Sequence, residues 1–140
     1  MNKIQSQSTT STSSITMAAS VEAISGPQHF ILDHNKKFIK RRDLVVSKLN
    51  EIDGITCSKP DGAFYVYPNC QDILGKITPN GKKILSDEDF ITYLLEDQGV
   101  AGVHGSAFGL SPYFRLSYAT SDHILEDACN RIQLACSKLK

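Results

Sequence analysis

Apolar residues return at helical spacing through the first half of the chain. Ile31, Phe38, Val45, Leu49 and Ile52 share one stripe, which predicts a long helix running from Pro27 to about Asn50. Pro27 suits its first position, where a missing N–H costs nothing. Upstream, MAASVEAI (17–24) favours a short helix that Ser14 is placed to cap and that Gly26-Pro27 ends. Beyond Asp53-Gly54 the pattern turns to strands. Ile55–Cys57 is a short candidate, Ala63–Tyr67 a stronger one, and Pro60-Asp61-Gly62 reads as the turn before it. A polar loop over 75–83 leads to a helix opened by Ser86, with acids at 87–89 where the helix dipole favours them and Phe90, Ile91, Leu94 and Leu95 as its apolar face. Gly99 ends that helix. Val100–Val103 and Tyr113–Tyr118 are further strands, and Ser121 opens a last helix with the stripe Leu125, Ala128, Ile132, Ala135 and Leu139. This order predicts an α/β fold in which helices cover a small mixed sheet.

Composition narrows the function classes. The 140 residues carry 15 Lys and Arg against 15 Asp and Glu, a formal net charge of zero, so whole-chain charge points to neither a nucleic acid nor a membrane surface. No apolar run is long enough to span a bilayer. The opening MNKIQSQSTTSTSS lacks an apolar stretch of the kind a secretory leader needs. Residues 1–13 read as a Ser/Thr-rich connecting segment with too little apolar surface to offset ordering entropy, and 14–140 as one domain. Cys57, Cys70, Cys129 and Cys136 show no C-x-x-C spacing, and Cys129 and Cys136 lie two helical turns apart, too far for a disulfide. Reduced thiols in a cytoplasm are expected.

Arg115 is the most informative residue. In an extended strand Phe114, Leu116 and Tyr118 face one way, Arg115 and Ser117 the other. A guanidinium in an otherwise apolar strand needs a partner, and its planar fork suits a carboxylate. An exposed strand arginine or a structural ion pair are the alternatives. The loop Gly102–Gly109 is neither a Walker loop nor a dinucleotide fingerprint. Its His104 is either a proton carrier or a solvated loop residue. The run Lys36, Lys37, Lys40, Arg41 and Arg42 reads as a solvated helix face rather than a nucleic-acid patch. Tyr65 and Tyr67 alternate with Phe64 and Val66, a pattern in which one row is core. No metal-ligand cluster is visible.

IQSQST (4–9), GPQ (26–28), RRDLVV (41–46), PDGAFYVYP (60–68), GSAFG (105–109) and YFRLSYATS (113–121) occur together in one order. This ordered set resembles the C-terminal part of the class I, fold-type I pyridoxal-phosphate aminotransferases, the bacterial aspartate aminotransferase branch in particular. The resemblance implies the small C-terminal domain of that fold. It implies that Arg115 binds the α-carboxylate of an amino acid or 2-oxo acid, that Phe64 lines the substrate pocket, and that QSQST lies near a dimer interface. The family's cofactor is pyridoxal 5'-phosphate, held by a lysine in a motif that this sequence lacks, along with the phosphate-binding residues. The large cofactor domain is therefore expected to be absent, leaving no catalytic or cofactor-binding residue here, no cofactor for the chain alone, and a large-domain chain or a second copy as partner. Where the family has V-V-P-G, this chain has Gly102-Val103-His104-Gly105.

Overall fold

The computed structural model describes residues 12–140, and the expectations for QSQST and for most of the segment 1–13 lie outside them. The chain divides into two units, 1–34 and 35–140. In the first, helix α1 spans Ser14–Ser25. Its cap is Ser13 rather than Ser14: the Ser13 hydroxyl accepts from the Thr16 N–H at 3.3 Å, one position earlier than the sequence suggests. Gly26 ends the helix, and the Gln28 side-chain amide donates to Ala23 O at 2.8 Å across the break. Helix α2, His29–Asn50, begins in this unit and ends in the second.

The second unit holds the core. Strand β1 is Tyr65–Val66, followed by a 3₁₀ turn at Gln71–Ile73 and helix α3, Asp87–Gln98. Strand β2, Val103–His104, runs into a second 3₁₀ turn at Gly105–Phe108. Strand β3, Phe114–Ser117, precedes helix α4, Asp122–Ser137. The sheet order is β1-β3-β2, with Tyr65 opposite Ser117, Val66 opposite Leu116, Val103 opposite Arg115 and His104 opposite Phe114. The α/β reading holds, but both pairings are antiparallel rather than mixed. β1 and β2 run the same way and β3 separates them, so no parallel pair forms.

Helix ends follow the predicted chemistry where a backbone bond is at stake. Ser86 accepts from the Asp89 N–H at 3.1 Å, and Gly99 closes α3 in the left-handed region at φ 66°. Ser121 precedes α4, but its hydroxyl meets the His123 ring at 3.0 Å instead of capping the backbone. Of the predicted stripe, Val45 and Leu49 of α2 are buried, as is Ile52 just past its end; Phe38 is partly buried and Ile31 is exposed. On α3 the inward residue is Tyr93, not Leu95: Leu95 is exposed, while the Tyr93 hydroxyl donates to Ala135 O at 3.0 Å. Leu125, Cys129, Ile132 and Ala135 form the inner face of α4. Phe114 brings the sheet to this core through an edge contact with Phe90, 5.5 Å between ring centres.

The basic run is a solvated face at Lys36, Lys37 and Lys40, which are exposed, while Arg41 and Arg42 are half-buried and ion-paired. Lys40 and Arg41 bond the Asp122 carboxylate at 3.1 and 2.9 Å, tying α2 to the start of α4. Arg42 reaches Asp43 at 2.9 Å and Pro60 O at 3.2 Å. All four cysteines are free and buried. Among the described residues no helix is long and apolar enough to cross a membrane, and no cluster of metal-ligating side chains occurs.

Candidate functional site

Alternation along β3 carries the site. Phe114 and Tyr118 turn into the core, so Arg115 emerges on the other side, half-buried. Its guanidinium carbon lies over the Tyr65 ring at 4.4 Å and over the Phe108 ring at 4.5 Å. Such contacts contribute about 0.5–2 kcal/mol each and restrain the guanidinium between the two rings. Neither ring accepts a conventional hydrogen bond, and among the described residues no carboxylate pairs with Arg115. The planar fork therefore has no carboxylate partner among the described residues, and its shape is one that suits a carboxylate.

Tyr65 arrives from β1, where its pairing with Ser117 places it beside Arg115 on the sheet. Its ring also touches Phe64, 4.5 Å away, and Phe64 meets Phe38 at 6.5 Å. Arg115 and Phe64, the two residues singled out from sequence, thus flank one tyrosine. Phe64 remains 42% exposed, enough surface for an apolar wall. The backbone before it is unusual: Ala63 has φ 60°, and the buried Tyr118 holds it there by donating from its hydroxyl to Ala63 O at 2.8 Å and from its N–H to Phe64 O at 2.9 Å.

Phe108 is delivered by the 3₁₀ turn Gly105–Phe108. Gly105 has no room for a side chain, since a Cβ would overlap Leu110 O and lie 2.6 Å from Tyr113 O. The Tyr67 hydroxyl donates to Gly105 O at 3.2 Å, and its ring stacks on Tyr113 at 5.5 Å. Burial raises the Tyr67 hydroxyl above its usual pKa; the Asp87 carboxylate adds to the rise and Arg115 opposes it. Asp87, itself buried, accepts from the Ser106 N–H at 2.9 Å. His104 meets the Ser106 hydroxyl at 2.6 Å through Nδ1.

Tyr65, Phe108 and Asp87 were not singled out from sequence. Tyr65 was within reach, because it sits on the stronger strand and alternates with core residues. Phe108 was within reach too, since it lies in the GSAFG motif seven positions before Arg115, whereas Asp87 is distant in sequence and only the packing ties it to that turn. An apolar cavity of about 350 Å³ opens between β3 and α4, lined by Val45, Val100, Leu116, Leu125 and Ile132, and Arg115 does not line it.

The comparisons with known proteins fit this architecture. A family model described as aminotransferase class I and II matches residues 1–132. The chain is 55% identical over 139 residues to the aspartate aminotransferase of Rhizobium meliloti, which covers 99% of this chain and 34% of that protein. It is equally 55% identical over 139 residues to the aspartate/prephenate aminotransferase of Cereibacter sphaeroides, covering 99% of this chain and 35% of that one. The crystal structure of the aspartate aminotransferase from Rhizobium meliloti matches it with a TM-score of 0.94 over 98% of this chain and 34% of that chain, at 55% identity. A Thermus thermophilus aspartate aminotransferase mutant matches with a TM-score of 0.78 over 95% of this chain and 34% of that chain, at 31% identity. The chain spans about a third of the length of the curated relatives it matches. The ordered motifs, the fold and the family model agree: this chain belongs to the class I and II aminotransferase family.

Proposed function

We propose that this chain supplies the substrate-carboxylate grip for aspartate-aminotransferase-type amino-group transfer between an amino acid and a 2-oxo acid. Arg115 is the grip and Phe64 an apolar wall beside it. One observation carries the reading: the guanidinium lies over Tyr65 and Phe108 while no carboxylate of the described residues occupies it. A structural arginine would show such a partner. Here the strand, two rings and a rigid turn fix the side chain in advance, which lowers the ordering cost of binding.

The family's cofactor, pyridoxal phosphate, supplies an electron sink for breaking bonds at the substrate's α-carbon. The described residues do not fit it. Neither 60–68 nor 99–121, the segments around Arg115, contains a lysine. Lys40, Lys48, Lys59, Lys82 and Lys138 are engaged by surface carboxylates. This chain's described residues bind and orient a carboxylate, and the cofactor-holding groups belong to a large-domain region. Residues 1–13 are the connecting segment to that region, and dimerisation is the expected assembly. The free, buried thiols accord with a cytoplasmic setting.

A chimera tests the function. This chain replaces the matching third of the Rhizobium meliloti aspartate aminotransferase. The chimera is expected to transaminate aspartate, and Arg115→Lys in it to raise KM and lower kcat/KM by at least about tenfold, since an ammonium cannot form the two-bond fork. A folded, cofactor-loaded chimera in which Arg115→Lys leaves kcat/KM unchanged sinks the reading.

One observation favours a second, non-catalytic reading as an assembly domain. Helix α1 buries none of its residues within the described chain, and Ile15, Met17, Val21 and Ile24 are all more than half exposed. A strictly monomeric chain in sedimentation equilibrium, with no affinity for a large-domain polypeptide, removes it.

A further inference from the structure

Asp87 is only 1% exposed, yet among the described residues no lysine or arginine makes an ion pair with it. Burying an ionised group is costly unless hydrogen bonds compensate. Its bonds are specific. Oδ1 accepts from the Glu88 N–H at 3.0 Å, within its own helix, while Oδ2 crosses to the Ser106 N–H at 2.9 Å. Ser106 lies in the 3₁₀ turn whose last residue, Phe108, covers the Arg115 guanidinium. The turn has four residues; its carbonyls at Gly105 and Ser106 accept from Gly109 and Leu110, its Gly105 N–H donates to Tyr113 O at 2.7 Å, and Asp87 supplies its tie to α3.

We propose that Asp87 is a positioning residue of the Arg115 site: its carboxylate anchors the Gly105–Phe108 turn and thereby seats the Phe108 ring against the guanidinium. The chain of contact is short and continuous. Oδ2 holds the Ser106 amide, the turn carries Phe108, and Phe108 restrains Arg115. Tyr67 holds the same turn through Gly105 O, so the turn is clamped between the start of α3 and the residue that follows β1. The importance of Asp87 for substrate rests on the reading of Arg115 as the carboxylate grip; the seating of Phe108 does not.

The test uses the full 140-residue chain in solution by NMR. In the unmodified chain a through-hydrogen-bond coupling from the Ser106 amide to the Asp87 carboxylate carbon is expected, and its absence overturns the proposal whatever any variant does. Asp87→Ala removes both acceptor oxygens. Its Arg115 Nε–H resonance should move toward the position seen in Phe108→Leu, because the ring current of Phe108 is lost. Ser106 amide exchange should speed up by more than about tenfold as the turn opens locally. Aspartate affinity should fall about threefold to tenfold, the cost of ordering one freed side chain. Combined with Phe108→Leu, Asp87→Ala should add nothing, since both remove the same contact. An unmoved Arg115 resonance in folded Asp87→Ala overturns the proposal, as does a full loss persisting in the Phe108→Leu background. If the unmodified chain binds no aspartate at all, the carboxylate-grip reading fails, and the resonance and exchange measurements still judge Asp87.

Discussion

At the scale of single residues, the site depends on small steric and electrostatic facts. Gly105 is one. A methyl group there meets two carbonyl oxygens of its own chain, and backbone cannot move aside as a side-chain tip can. Gly105→Ala should destabilise the chain by about 1–3 kcal/mol, the usual range for overpacking a tight site. It should also disturb the Phe108 seat, and an unchanged Tm with an unchanged Arg115 resonance would refute this. The thiols make a second case. Burial pushes Cys57 and Cys129 up to about 11 and Cys70 and Cys136 up to about 12. Only the thiolate attacks a disulfide reagent, so at pH 8 the native chain should react at least about a hundredfold more slowly than the unfolded chain. Four fast thiols in the native state would contradict the packing described.

At the scale of elements, ion pairs fasten helix to helix. Lys40 and Arg41 hold Asp122 between α2 and α4, and Lys138 holds Asp97 between α4 and α3 at 2.8 Å. In both carboxyls the hydrogen bonds from those cations lower the pKa below its ordinary value of 3.8. A lowered folded-state pKa means that the unfolded chain binds the proton more readily. The stabilisation is therefore complete above the ordinary value and is lost as pH falls through the lowered one. Both pairs are surface-exposed, so the effect should be modest and salt-sensitive. Urea midpoints should be level from pH 7 to 5 and decline below about pH 4, less steeply in Asp97→Asn. A midpoint that rises on acidification contradicts this.

Legibility in the sequence also varied by element. The α2 stripe at Val45, Leu49 and Ile52, the Ser86 and Gly99 boundaries of α3, and the two faces of β3 follow from periodicity and capping chemistry, which are local. The missed points are tertiary. Tyr93 displaced Leu95 because a carbonyl of α4 was available to its hydroxyl. The strands shortened to a few residues because loops such as Pro68–Asn69 pair only through isolated bridges. The burial of Asp87, an acid that reads as an ordinary helix-start residue, depends on a turn nineteen positions away in sequence.

For the whole molecule, the central question is what the 140 residues do without the rest of an aminotransferase chain. With no lysine in the segments around Arg115, mixing the chain with pyridoxal phosphate should produce no stoichiometric, borohydride-trappable adduct and no transaminase turnover. A single modified lysine with turnover would overturn that. Carboxylates should still bind, weakly. The guanidinium is only half-buried, and an exposed charge pair is worth under about 1 kcal/mol, so aspartate affinity belongs in the millimolar range or weaker. The most direct measurement compares the chain with Arg115→Lys, following aspartate-induced NMR shifts and urea stability in parallel. The account predicts that the substitution abolishes the aspartate shifts around Tyr65, Phe108 and Arg115 while changing stability by less than about 1 kcal/mol. Persistent aspartate shifts, or destabilisation by several kcal/mol, would make Arg115 a structural partner and contradict it.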